Sequence, residues 1–301
     1  MLKLINVDPK YIDYLKEFSQ FDRVMNTKFN VSSNGGRKYI GICLVSNNYS
    51  YYIPIHKGSK EDAKPSKSHI DKNGIRKIHR SKFDVEFIER DKTGNEHLTS
   101  ILKTAYMIPI PTSTIIPYNI ATEPNPKIKA DFQDLMNWCN KPTTIKLITD
   151  RSKYLYNTKL MVLNNKITFL KPEEIANSSF WLNYALLEEK CELWEKYPGI
   201  KNNLADANDI KKINDHVRHK DNGYNPTMLE GKHFIYNDDL YRIEQIELKP
   251  LGVDSAILAK LNISGEEKYI DNNFTSDAKF NLHLQKLDSK SLSNFKDIKN
   301  K

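Results

Sequence analysis

The chain has 301 residues, of which 39% are hydrophobic, 28% charged and 10% aromatic, enough apolar material for a core and too much for a disordered polymer. Its length predicts two domains, and it carries a net charge of +8 with a pI near 9.0. No apolar run approaches the roughly 18 residues that cross a bilayer, and residues 1–9 lack the apolar stretch of a secretory leader.

Asp8-Pro9 opens a helix, with Asp as N-cap, Pro at the first helical position, and Tyr11, Ile12, Tyr14, Leu15 and Phe18 at helical spacing. Asn34-Gly35-Gly36 turns into a strand over 38–45, and Asn47-Asn48 folds it back on a second strand over 49–55. Residues 56–82 show no apolar periodicity and read as one long basic loop, a length that is functional or disordered inside a domain. Residues 83–88 alternate with period two. After the turn Asp91-Lys92-Thr93-Gly94, residues 98–111 return as a further strand pair, with Ile108-Pro109-Ile110 as core.

Helical spacing starts near Lys127 (Phe132, Leu135, Met136, Trp138), resumes over 144–160, and resumes again over 173–196, where Trp181 and Trp194 read as packing. Pro198-Gly199 ends that helix. Beyond an Asn/Asp-rich junction at 201–215, a hairpin (234–236 and 240–247) and runs near 256–263, 268–274 and 279–287 predict a small β-barrel or sandwich. Its aromatic strands (Phe234, Tyr236, Tyr241) suit either an RNA-stacking surface or an ordinary core. Domains are expected at 1–199 and 200–287, with 288–301 a frayed tail.

Net charge alone says little in a Lys-rich, Asn-rich chain; its distribution says more. Residues 54–82 hold Lys57, Lys60, Lys64, Lys67, Lys72, Arg76, Lys77, Arg80 and Lys82 against only Glu61, Asp62 and Asp71. Such a patch neutralises phosphates and gains from counterion release, so a nucleic acid is the expected partner. It has no amphipathic apolar face beside it, which argues against a membrane surface. Cys43, Cys139 and Cys191 are widely separated, so a disulfide framework is not expected and a reducing cytoplasm is. His216, Arg218, His219 and Lys220 make a local basic cluster without a third ligand at metal spacing, and no metal or cofactor is expected. P-loop, GxSxG, HExxH and Rossmann motifs are missing from the sequence.

Five segments in order resemble the ToxN/AbiQ family of endoribonuclease toxins of type III toxin–antitoxin and abortive phage-infection systems. They are Lys10-Tyr11-Ile12-Asp13-Tyr14-Leu15-Lys16, Arg37-Lys38-Tyr39-Ile40-Gly41-Ile42, Tyr52-Ile53-Pro54-Ile55 running into a Lys/Ser loop, Tyr106-Met107-Ile108-Pro109-Ile110, and Tyr184-Ala185-Leu186-Leu187-Glu188-Glu189-Lys190-Cys191. The resemblance covers about residues 1–196. It implies an α+β fold, a bent antiparallel SH3-like barrel with packed helices, ahead of the smaller β-rich domain. It also implies metal-independent cleavage of messenger or phage RNA that leaves a 2′,3′-cyclic phosphate, and inhibition by a structured repeat antitoxin RNA in a ring-like assembly, typically trimeric.

That chemistry needs a base for the 2′-hydroxyl, an acid for the leaving 5′-oxygen, and cations or donors on the phosphorane. The loop after the hairpin offers His56, Lys57, Ser59 and Lys60; Arg37 precedes the paired strand, and Tyr11 is expected to face out of the first helix. Relatives carry a Thr/Ser-Ser pair two residues past the strand Pro, followed by Lys. Here either His56 and Lys57 replace that pair, or the loop is longer and Ser59-Lys60 are the equivalents. Lys38, Lys64, Lys67, Lys72, Arg76, Lys77, Arg80 and Lys82 are the expected RNA contacts. The alternative reading is a non-catalytic RNA-binding or regulatory protein on the same fold.

Overall fold

The structure, a computed structural model, describes residues 1–21, 24, 37–58, 68–205, 226–249, 252–272 and 282–287. It falls into two compact units, Met1–Lys16 with Gln20–Cys191, and Glu17–Ser19 with Glu192–Lys301.

The first unit is a mixed α+β body. Its strands are β1 (Lys3–Val7), β2 (Tyr39–Ser46), β3 (Tyr49–Lys57), β4 (Ser68–Ile70), β5 (Arg76–Ile78), β6 (Val85–Arg90), β7 (Glu96–Leu102), β8 (Ile108–Pro109) and β9 (Ile115–Pro117). Its helices are α1 (Pro9–Lys16), α2 (Pro126–Cys139), α3 (Pro142–Leu163) and α4 (Pro172–Ser178), followed by α5 (Tyr184–Lys196), inside which the division between units falls. The main sheet runs β6-β7-β3-β2-β1-β9, with β8 also on β3. All its pairings are antiparallel. The path is open: the expected SH3-like barrel does not close among the described residues.

Four helices start with Pro at the first position, where its missing N–H costs nothing. Before α1, Asp8 Oδ1 accepts the Lys10 N–H at 3.0 Å, and before α2, Asn125 Oδ1 accepts from Lys127 and Ile128. The helix expected over 173–196 is instead α4 and α5. The Ser178 and Ser179 hydroxyls turn back onto the Ile175 and Ala176 carbonyls, and Asn183 then caps a new start by accepting the Leu186 N–H. Part of the expected 56–82 loop is the β4–β5 hairpin. Only Ser68 and Ile78 of its six strand residues are buried, so no periodicity betrays it, and its turn is held by Asp71 Oδ1, which accepts from Asn73 and Ile75. The 98–111 strand pair is one strand, a 3-10 turn (Thr104–Tyr106) and the two-residue β8. Strands β1 and β9 were not anticipated; each is short and pairs with distant sequence.

The hairpin at 47–48 forms as expected, with Asn47 and Asn48 both at positive φ, the backbone that a two-residue turn requires. Its turn end is tied down by a buried carboxylate. Glu188 on α5 accepts from Tyr51 Oη (2.7 Å), Tyr156 Oη (2.8 Å) and Asn47 Nδ2 (3.0 Å), while Tyr184 stacks on Tyr156 and meets Tyr51 edge-on. Two residues of β2, Ile42 and Cys43, fall outside the β2–β3 register, since Gly41 pairs with Tyr52 and Leu44 with Tyr51, while the Cys43 thiol donates to the Tyr51 carbonyl at 3.1 Å. Gly41 is needed there, since a Cβ would lie 2.3 Å from the Tyr52 ring.

The second unit contains α6 (Ile200–Asn203) and an antiparallel meander of β10 (His233–Tyr236), β11 (Asp239–Lys249), β12 (Gly252–Asn262), β13 (Gly265–Asp271) and β14 (Leu284–Lys286). It is a single sheet rather than the expected barrel or sandwich. Phe234 and Tyr241 stack at 5.5 Å inside its core with Ile243, Ile246 and Leu258, so these aromatics are packing, not an exposed stacking surface. Its charged pairs are balanced: Arg242 and Lys268 each bond both Glu244 and Glu266. The 216–220 basic cluster and the 288–301 tail lie outside the described residues.

Candidate active site

Register, rather than proximity in sequence, assembles the site. Tyr39 pairs with Pro54, and the Ile55 N–H donates to the Lys38 carbonyl at 2.9 Å, so the next step sets Arg37 opposite His56. On the other side of β3, His56 pairs with Ile101, and Ile101 pairs with Glu86. Directly opposed residues share a face; Arg37, His56, Ile101 and Glu86 therefore form one row across four strands. The neighbouring row on that face is Tyr39, Pro54, Lys103 and Asp84, closed by the Lys103 N–H to Pro54 carbonyl bond and the 2.7 Å Lys103–Asp84 ion pair. Alternation sends Lys38 and Lys57 to the opposite face.

Arg37 is 9% exposed and its Nη1 donates to the Ile55 carbonyl at 3.1 Å. Burial lowers its pKa. His56 is half-buried. Burial, then the charges of Arg37 and Lys103, push its pKa below the ordinary 6.5, and Asp84 partly opposes them. The result is a neutral imidazole at neutral pH beside a fixed guanidinium, a pairing suited to taking a proton from a hydroxyl next to an anion. Arg151 of α3 holds the rim, its Nη1 donating to the Ser81 and Asp84 carbonyls at 3.0 and 2.7 Å.

The chain leaves β3 through Gly58, whose N–H donates to the Thr99 carbonyl at 2.9 Å. A Cβ on Gly58 would stand 1.7 Å from the Leu98 carbonyl oxygen, so only glycine permits this approach. Ser59, Lys60, Lys64 and Lys67 follow and lie outside the described residues.

Tyr11 is not where the sequence placed it. It is fully buried, stacked on Tyr14, and its hydroxyl donates to the Pro109 carbonyl at 2.9 Å; burial raises its pKa well above the ordinary phenol value. The residue expected to face out of the helix is thus turned into the core. Lys38 is also buried, its Nζ 4.3 Å from the centre of the Tyr118 ring, whose hydroxyl donates to Glu123. Among the remaining expected contacts, Lys72 is exposed, Arg76 half-buried, and Lys77 lies 4.0 Å from Asp71. Arg80 bonds the buried Glu96, and Lys82 pairs with Glu173 at 2.7 Å. Sequence reading missed Asp84, Glu86, Lys103 and Arg151. The strand register, which ties four separated segments, brings the first three together, and Arg151 joins them from α3 through the Ser81 and Asp84 carbonyls.

Among the described residues no helix is long and apolar enough to cross a membrane. No curated protein sequence matches the chain. Solved structures that resemble it include a bacterial type III toxin from work on selective inhibition by a non-coding RNA pseudoknot (20% identity, TM-score 0.47, 65% of this chain and 98% of that one). The lactococcal anti-phage endoribonuclease AbiQ also resembles it (22%, 0.46, 65% and 99%), as does a protein from a bacterial antiviral system regulated by a processed non-coding RNA (23%, 0.43, 65% and 97%). The family model for Toxin ToxN, type III toxin–antitoxin system, matches residues 3–192, a span that includes every strand of the Arg37–His56 row, and on that match the chain belongs to the ToxN family of type III toxin–antitoxin systems.

Proposed function

We propose that the protein is an endoribonuclease toxin that needs no metal ion for the cutting step. The observation that carries this reading is the Arg37–His56 pair: a depressed-pKa imidazole held beside a buried guanidinium, at the end of a strand that Ser59-Lys60 follow closely in sequence. Neutral His56 removes the proton from a ribose 2′-hydroxyl, whose oxygen attacks the neighbouring phosphorus; the P–O5′ bond breaks, leaving a 2′,3′-cyclic phosphate. Arg37 stabilises the charge gathering on the phosphorane oxygens. Lys60, two residues beyond Gly58, protonates the departing 5′-oxygen. Lys103 and Asp84 tune His56 from the next row. The Lys-rich stretch that follows binds RNA backbone, both of messenger or phage substrate and of a structured repeat antitoxin RNA, which holds the toxin in a ring-like, three-toxin assembly until phage infection releases it.

The test is RNA cleavage by the full chain in EDTA. Cyclic-phosphate and 5′-hydroxyl ends are expected, and His56→Gln should slow cutting by about a hundredfold or more. A requirement for Mg²⁺, or a 5′-phosphate product, would refute the mechanism.

A further inference from the structure

The outer edge of β6 faces α2 and α3 across a cleft of about 330 Å³, whose lining includes Arg80, Glu86, Ile88, Trp138, Leu147 and Arg151. It opens beside the active-site face, because Glu86 belongs both to its wall and to the row that carries His56. Two strand steps separate those residues, roughly 10 Å, a distance that one adjoining nucleotide bridges. The volume lies at the small end of ligand sites and admits a single nucleotide.

The lining has the three chemistries that single-stranded RNA recognition uses. Trp138 is half-buried, its ring braced by Phe87 at 5.0 Å, which leaves a supported aromatic surface for a base. The Glu86 carboxylate is oriented by the Ser81 N–H, at 3.2 and 3.1 Å from its two oxygens, and retains lone pairs for further donors. Arg151 spends Nη1 on two backbone carbonyls, which fixes its plane, while Nε and Nη2 take no protein acceptor among the described residues.

We infer that this cleft seats the base of the nucleotide next to the scissile phosphate. Trp138 stacks on the base, Glu86 accepts from its amino edge, and Arg151 takes the phosphate. The inference rests on the RNA-cleaving reading above and adds base selection to it. A carboxylate only accepts, so it favours guanine, which presents a ring N–H and an amino group side by side. Adenine and cytosine present one amino group, and uracil sets two carbonyls against it. The expected order is guanine, then adenine and cytosine, then uracil.

Calorimetric titration of the full chain with GMP, AMP, CMP and UMP tests this. GMP should bind tightest, Trp138→Ala should weaken it about tenfold, and the isosteric Glu86→Gln should remove the preference of GMP over UMP while leaving the circular dichroism unchanged. Equal binding of the four nucleotides, or none, overturns the inference, as does a preserved order in Glu86→Gln. Nucleotide binding does not depend on cutting. A chain that cuts RNA but ranks no nucleotide refutes the cleft alone. One that ranks nucleotides as expected but cuts nothing supports the cleft and refutes the nuclease.

Discussion

Replacing Glu188 by alanine should be among the most destabilising single changes in the first unit. The carboxylate is 8% exposed and accepts three hydrogen bonds, two of them from the hydroxyls of Tyr51 and Tyr156, which are 0% and 4% exposed. Alanine leaves both hydroxyls buried without that acceptor, and each such group costs about 1–3 kcal/mol. The total is about 2–6 kcal/mol, a large share of a typical domain's stability. Tyr51→Phe, by contrast, removes one donor and leaves the carboxylate bonded to Tyr156 and Asn47, at a cost of about 1.5 kcal/mol. Urea unfolding followed by near-ultraviolet circular dichroism measures both; the midpoint should fall with the slope unchanged. Should Glu188→Ala cost no more than Tyr51→Phe, the carboxylate is not what binds the β2–β3 hairpin to α3 and α5.

Acid–base behaviour gives a second expectation. If neutral His56 is the base, the acid limb of the cleavage profile lies below the ordinary 6.5, because burial, Arg37 and Lys103 depress the imidazole. Lys103→Met removes a depressing charge and should move that limb up, while Asp84→Asn removes an opposing one and should move it down; a shift in the same direction for both would contradict the assignment. Gly58→Ala forces a methyl group against the Leu98 carbonyl, so the end of β3 should part from β7 at about 1–3 kcal/mol, with a fall in kcat/KM larger than the fall in stability suggests. Glu96 carries a second pH signature. Burial raises its pKa, but the Ile78 N–H, Arg80 and Arg90 outweigh burial and lower it overall. Its stabilisation is therefore complete above the ordinary 4.5 and lost as pH falls through the lowered value. Glu96→Gln should cost about 2 kcal/mol at neutral pH and flatten that acid dependence in a urea series.

Local chemistry was legible from the residues alone. The Asn47-Asn48 turn, the Asp8-Pro9 helix start and the hairpin that opens the strands after residue 233 are encoded in short stretches, through turn residues, caps and period-two alternation. What was not legible depends on distant pairing. Strands β1 and β9 are three to five residues long and become strands only because each finds an edge. The β4–β5 hairpin buries too little to leave a pattern. Tyr11 misled because helical spacing shows which residues share a stripe, not how much of the helix the fold encloses; all four of Tyr11, Ile12, Tyr14 and Leu15 are buried. At the site, Arg37 and His56 were legible as chemistry, while their pairing with Lys103, Asp84 and Glu86 is a property of four strands in register. The Tyr184 to Cys191 run, noticed as a resemblance, has a physical meaning here: it supplies Tyr184 and Glu188 to the anchor beneath the hairpin.

The unpaired Ile42-Cys43 step in β2 carries a consequence of arithmetic. Because two residues are looped out rather than one, odd and even positions keep their sides along the strand, and Arg37 still lies over His56 while Lys38 turns toward Tyr118. A change that slipped the Tyr39–Pro54 register by one residue would exchange the two cations, presenting a lysine to the imidazole and sinking the guanidinium beneath the sheet. Length variation in this segment is therefore tolerable where the bulge absorbs it and the Tyr39–Pro54 register is kept.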